Sequence, residues 1–149
     1  MTDDAEPSVV DASAILPIVD VEVCSPRAER WFAAARRHAE DSITVDLFDV
    51  ECANALWKRV RREAWSREDA QRALGRILDL PYRRIPLRAL VGDALDLGLT
   101  LEVTVYDACY VALAVVTGLP LVTGDRRLAR AARAGGCEAV CLAEDAGTP

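Results

Sequence analysis

This sequence predicts an α/β domain with a parallel sheet at its centre and helices on both faces. Three observations lead there. Short apolar runs rich in β-branched residues (Ser8-Val9-Val10, Ile43-Thr44-Val45, Leu121-Val122-Thr123 and Ala139-Val140-Cys141-Leu142) alternate with longer amphipathic stretches. Polar capping residues open those stretches and glycines or prolines close them. The chain has 149 residues, 52% of them apolar, which is one domain able to bury a core without a disulfide or a metal staple.

Taken in order, residues 1–7 read as a flexible tail, 8–142 as the domain and 143–149 as a second tail. The first apolar run ends in Asp11, with the small residues Ala12, Ser13 and Ala14 after it, as where a strand feeds a helix; Pro17 limits how cleanly that helix continues. Ser25-Pro26 is a good N-cap and first-turn pair and predicts a helix to about Ala39, with Trp31, Phe32 and Ala35 on one side and arginines on the other. Leu47 to Glu63 is the strongest upstream helix, with Leu47, Val50, Ala53-Asn54, Trp57 and Val60 recurring at 3–4 spacing as the expected face. Ser66-Arg67-Glu68-Asp69 is a capping box with Asp in the acidic place, opening a helix to about Leu80.

Arg84-Ile85-Pro86 suits an edge strand, because proline cannot donate to a ladder. Leu87 to Leu97 predicts a helix stopped by Gly98. Thr104 and Asp107 again have capping-box spacing, and the helix they open runs to Thr117 and Gly118. Gly124 turns the chain after the Leu121–Thr123 strand, and Asp125 starts a helix that ends at Gly135-Gly136.

Composition excludes several classes. No charge-free apolar run reaches the roughly 18 residues of a membrane span. The acidic N-terminus lacks the basic and apolar regions of a secretory signal, so a cytoplasmic protein is expected. The five cysteines (Cys24, Cys52, Cys109, Cys137, Cys141) are odd in number, and only Cys137 and Cys141 lie close together; small buried thiols are expected rather than a zinc site. A net charge of −6 argues against non-specific polyanion binding. His38, the one histidine, lies between Arg37 and a helix end, where a solvated charge is more at home than a general base.

The chemistry lies in four acids. Asp11 and Asp125 follow strands at the end where sites form in parallel sheets; Asp107 and Glu51 lie in the first turns of their helices. If they share one cleft, mutual repulsion favours a hard divalent cation such as Mg²⁺ or Mn²⁺, which takes oxygen ligands and keeps several waters. Such an ion activates water and stabilises charge on a phosphodiester, and a pair about 3.5–4 Å apart is the usual in-line arrangement. No P-loop, GxGxxG or Ser-His-Asp order offers a rival.

Each acid also has a plainer explanation. Asp107 and Asp125 could be favourable charges at helix N-termini, worth about 0.3–1 kcal/mol each. Glu51 could be a solvated helix residue. Asp11 is hardest to explain this way, since an acid at the end of a buried strand needs partners. Ser13 and Thr123 could orient carboxylates or water, or make local turn bonds. Asn54 could bond Glu51 one turn away, or simply pack. The basic residues Lys58, Arg59, Arg61 and Arg62, with Arg126, Arg127, Arg130 and Arg133, could contact phosphates or be solvated faces.

In order and spacing, VVDASAIL, ECANALWKRV, TVYDACYVALA and LVTGDRRLARAA resemble the PIN-domain ribonucleases, and most of all the VapC-type toxins of bacterial toxin–antitoxin pairs. The resemblance covers about residues 8–142. It implies a three-layer α/β/α fold and a metal-dependent endoribonuclease acting on RNA, with Asp11, Glu51, Asp107 and Asp125 around Mg²⁺ or Mn²⁺ and Ser13 and Thr123 as accessory hydroxyls. It also implies a homodimer silenced by a cognate VapB-type antitoxin. The acidic net charge and the single lysine, Lys58, depart from what a strong extended RNA groove would carry.

Two other readings stand beside it. One is a non-catalytic PIN-like module whose cleft only binds a partner; intact acids weigh against it. The other is a phosphoacceptor domain of receiver type, which wants a lysine after a late strand where this chain has none.

Overall fold

A computed structural model of the chain describes residues 6–19, 30, 33, 40–62 and 64–143. Five short strands, β1 (Val9–Val10), β2 (Ile43–Val45), β3 (Arg83–Ile85), β4 (Leu121–Thr123) and β5 (Ala139–Cys141), form one parallel sheet in the order β3-β2-β1-β4-β5. Val9 pairs with Ile43 on one side and Leu121 on the other. Every residue of β1, β2 and β4 is buried, as a sheet covered on both faces requires.

Among the described residues, six helices flank the sheet: α1 (Ala12–Val19), α2 (Phe48–Arg62), α3 (Arg67–Leu78), α4 (Val91–Leu101), α5 (Val105–Thr117) and α6 (Arg126–Ala134), with a 3₁₀ turn at Leu87–Ala89. The α/β/α architecture agrees with the sequence reading. The strand order reverses between β1 and β4, which opens a crevice beyond their carboxyl ends. That crevice is where Asp11 leaves β1 and Gly124 leaves β4.

The caps explain the helix starts. Ser66 Oγ accepts the Asp69 N–H at 3.0 Å, and Thr104 Oγ1 accepts the Asp107 N–H at 3.2 Å, as both boxes predict. Gly118 takes φ 71°, the left-handed conformation that ends α5. β3 is an edge strand, as expected, with Pro86 just outside it.

Four details differ from expectation. The inward row of α2 is Phe48, Cys52 and Leu56; Val50 and Trp57 are 64% and 58% exposed. The helix has two apolar rows, and periodicity alone cannot say which one meets the sheet. Gly98 does not stop a helix. It lies inside α4, where a Cβ would stand 3.2 Å from the Val103 carbonyl oxygen, and Glu102 makes the stop with φ 56°. The residues before Val91 form the 3₁₀ turn rather than α-helix. Finally, α1 continues past Pro17 to Val19. Most of the expected helix of residues 25–39, His38 included, lies outside the described residues, where only Arg30 and Ala33 are described, both helical; Cys24 and nearly all of both tails lie outside as well. The remaining four cysteines are free, three of them buried.

Candidate active site

Asp11 sits at the end of β1 and is 4% exposed. Its Oδ2 accepts hydrogen bonds from two hydroxyls. Thr123 Oγ1, at the end of β4, donates at 2.7 Å, and Ser13 Oγ, in the first turn of α1, donates over a short contact. Each hydroxyl is fixed by a backbone donor in turn: the Gly124 N–H donates to Ser13 Oγ at 2.9 Å, and the Asp125 N–H to Thr123 Oγ1 at 3.0 Å. With both hydroxyl protons aimed at Asp11, the 3.0 Å approach of Ser13 Oγ to Thr123 Oγ1 is a contact between acceptor faces. The plainer reading of the two hydroxyls, local turn bonds alone, is therefore incomplete.

Gly124 makes this geometry possible. A Cβ at that position would stand 2.4 Å from the Ser13 carbonyl oxygen, so the loop after β4 can press against α1 only with a glycine there.

Glu51 reaches in from the first turn of α2, half-buried. Tyr110, wholly buried on α5, donates its hydroxyl to Glu51 Oε1 at 3.2 Å. Sequence reasoning did not single out Tyr110. The available signal was its spacing, three residues after Asp107 and on the same helix face. Asn54, the expected polar neighbour of Glu51, is exposed on α2 one turn on. Asp107, half-buried in the first turn of α5, is also capped through Thr104.

Electrostatics tie these acids together. Burial raises the Asp11 carboxyl above its ordinary value; its hydroxyl partners oppose this and the charge of Asp107 adds to it. Glu51 is pushed up to about 7, by burial first and then by Asp11, with Asp107 adding and the Tyr110 hydroxyl opposing. Asp107 is raised by burial and by Asp125, against the Thr104 hydroxyl and the positive charge of Arg127. Burial thus disfavours ionisation of all three acids, and the charge of Asp107 adds to it at Asp11 and Glu51, a condition a bound cation relieves.

Asp125 differs from the other three. It is exposed, and its Oδ1 accepts the N–H of Arg127 at 2.7 Å and of Leu128 at 3.3 Å, as the N-cap of α6. The structure joins it to Asp11 through Thr123 and to Asp107 by charge. Among the described residues, no three acidic, histidine or cysteine side chains stand close enough to hold one ion directly.

Several of the arginines have structural work. Arg126 donates to the Ala143 carbonyl at 2.8 Å, Arg127 to that of Glu102 at 2.8 Å and Arg133 to that of Ala139 at 3.0 Å. On α2, Arg59 and Arg61 lie over the rings of Trp65 and Trp57. Arg84 is a structural clamp beside α2. Its Nε and Nη2 donate to the two carboxylate oxygens of Asp49 at 3.2 and 2.8 Å, while Nη1 donates to the carbonyls of Leu80 and Tyr82, both at 2.7 Å. This ties the loop after α3 to the turn of α2 that carries Glu51.

Known proteins agree with this architecture. The profile of the PIN domain family matches residues 8–134. The chain is 40% identical to Ribonuclease VapC3 of Pyrobaculum aerophilum, over 81% of this chain and 91% of that one. It is 37% identical to Ribonuclease VapC12 of Mycobacterium tuberculosis, over 82% and 89% of the two chains. The crystal structure of PAE2754 from Pyrobaculum aerophilum superposes with a TM-score of 0.69 and 28% identity, covering 90% of each chain.

Proposed function

The chain belongs to the PIN domain family, and we infer that it is an endoribonuclease toxin of VapC type whose cleavage of RNA depends on a divalent metal ion. The observation that carries the metal dependence is the set Asp11, Glu51 and Asp107. These come from the end of β1, from α2 and from α5; all three carboxyls are raised by burial, Asp11 also by the charge of Asp107, and Glu51 also by those of Asp11 and Asp107. Oxygen donors that repel one another and are partly buried suit Mg²⁺ or Mn²⁺.

Asp11, Glu51 and Asp107 would hold the principal ion. Asp125 would serve a second ion or orient water. Such a cation needs only one or two direct carboxylates, with the rest acting through water, which suits acids that do not close on one point. When bound, it lowers the pKa of a coordinated water and offsets charge on the phosphodiester. The chain's own residues do the positioning. Ser13 and Thr123 keep Asp11 in one rotamer, and Thr104 secures the turn that presents Asp107.

The partners follow from the same reading: an RNA substrate, a VapB-type antitoxin that covers the crevice, and a second copy of this chain, in the cytoplasm. Apolar surface for protein contacts exists on α4, where Val91, Leu95 and Leu99 recur every fourth residue and are 49%, 50% and 72% exposed. No single described helix is long and apolar enough to cross a membrane.

The test is RNA cleavage with Mn²⁺ by the wild type and by Asp11→Asn and Asp107→Asn. Both variants are expected to lose cleavage while keeping the fold. Cleavage at the wild-type rate by either variant overturns the assignment.

A further inference from the structure

We propose that Tyr110 is a positioning residue for the metal site, holding Glu51 inward through its hydroxyl; this rests on the metal-dependent reading above. Tyr110 is 0% exposed, so its ring needs only an apolar pocket, which phenylalanine would fill equally well. Its hydroxyl must find a partner there, because a buried unpaired O–H costs free energy. The partner is Glu51 Oε1 at 3.2 Å, on a different helix and 59 residues away.

Glu51 needs such a partner. The inward row of α2 is Phe48, Cys52 and Leu56, so Glu51 projects from the flank of that row rather than from its centre. Its side chain has three rotatable bonds, and its carboxylate is repelled by the charges of Asp11 and Asp107. Ordering a free glutamate also costs side-chain entropy. A donor on a rigid, buried ring opposes both the repulsion and that entropy. α5 also carries Asp107 one turn before Tyr110, so a single helix supplies one acid and the donor that orients another. Groups that orient metal ligands from behind typically change metal affinity or activity by roughly 10–100-fold when removed.

The experiment is Tyr110→Phe in the full chain, read by Mn²⁺ calorimetry, by metal-free thermal unfolding and by RNA cleavage against Mn²⁺ concentration. Loss of one hydroxyl should leave a folded protein. Mn²⁺ should bind roughly tenfold more weakly, and cleavage should recover as Mn²⁺ is raised. In a Glu51→Gln background the same substitution should change Mn²⁺ affinity no further. Wild-type affinity in Tyr110→Phe overturns the inference, as does an equal loss in the Glu51→Gln background. If Tyr110→Phe lowers metal-free stability, the core variant Ile77→Val, which keeps the hydroxyl, is compared, and an equal loss of Mn²⁺ affinity in Ile77→Val overturns it too. Failure of the wild-type chain itself to bind Mn²⁺ removes the metal-dependent reading and this inference together, whereas wild-type binding with an unaffected Tyr110→Phe removes only the inference.

Discussion

Thr123 Oγ1 donates to Asp11 Oδ2 at 2.7 Å across 112 residues of sequence, joining the ends of two neighbouring parallel strands, β4 and β1. The same oxygen accepts the Asp125 N–H, so one hydroxyl connects the most buried acid of the crevice to the most exposed. Thr123→Val keeps the shape and removes both bonds. It is expected to cost about 1–3 kcal/mol, since it strands a buried acceptor and a backbone donor. Urea unfolding reads the loss, and RNA cleavage should fall by roughly tenfold or more. Thr123→Ser should restore most of it.

Gly124 lies against the carbonyl of Ser13, a backbone atom with no freedom to rotate away. Gly124→Ala should destabilise by about 1–3 kcal/mol and displace both hydroxyls from Asp11. The control is Gly75→Ala on α3, where a Cβ would meet nothing within 4 Å. That substitution should stabilise by about 0.5–1 kcal/mol and leave cleavage unchanged. Chemical denaturation of the two variants side by side separates steric loss from a general effect of adding a methyl group.

Metal-free stability should depend on pH through Glu51. Its carboxyl ordinarily titrates at 4.5 and is raised to about 7 in the fold, by burial first and then by Asp11. A raised folded pKa means stability that is fully present below pH 4.5 and lost as pH rises through about 7. Because Glu51 is half-buried, solvent screening holds the effect to the order of 1 kcal/mol, or roughly 2–4 °C in Tm. Thermal unfolding with chelator from pH 4.5 to 8 should show this fall, less steeply in Glu51→Gln. Mn²⁺ should recover the loss in the wild type and less of it in the variant. A pH profile identical in the two chains would refute the assignment.

Arg84 bonds both oxygens of Asp49 and carbonyls on the loop beyond α3. Arg84→Ala leaves these acceptors short of donors and should cost about 2–3 kcal/mol. Arg84→Lys should recover little, because a point charge cannot reproduce the planar fork. Denaturant midpoints test both variants. Mn²⁺ affinity should drop more in Arg84→Ala than in an exposed variant such as Arg72→Ala, because Asp49 and Glu51 share a turn of α2.

Much of this fold could be read along the chain, because its signals are local. β-branched runs marked four of the five strands, and Arg84-Ile85-Pro86 marked the fifth as an edge. Ser66, Thr104 and Asp125 marked three helix starts within a residue, since capping involves only the next three positions. The inward face of α2 was not legible. Phe48, Cys52 and Leu56 compete with Leu47, Val50, Trp57 and Val60 for one helix, and only the sheet's position decides between them. Gly98 misled for a related reason: as a stop it would act on its own helix, yet it serves the close approach of Val103.

By itself the sequence determined an α/β domain with four acids at strand ends or in first helical turns, and motifs similar to those of a ribonuclease family. Those features follow from neighbours a few residues apart. Tertiary structure alone decided which groups meet. It set Thr123 and Ser13 on the same oxygen of Asp11, and brought the buried hydroxyl of Tyr110 to Glu51. These contacts depend on strand order and on the burial of whole helices, and the free energy that fixes them comes from the packed sheet rather than from any local segment.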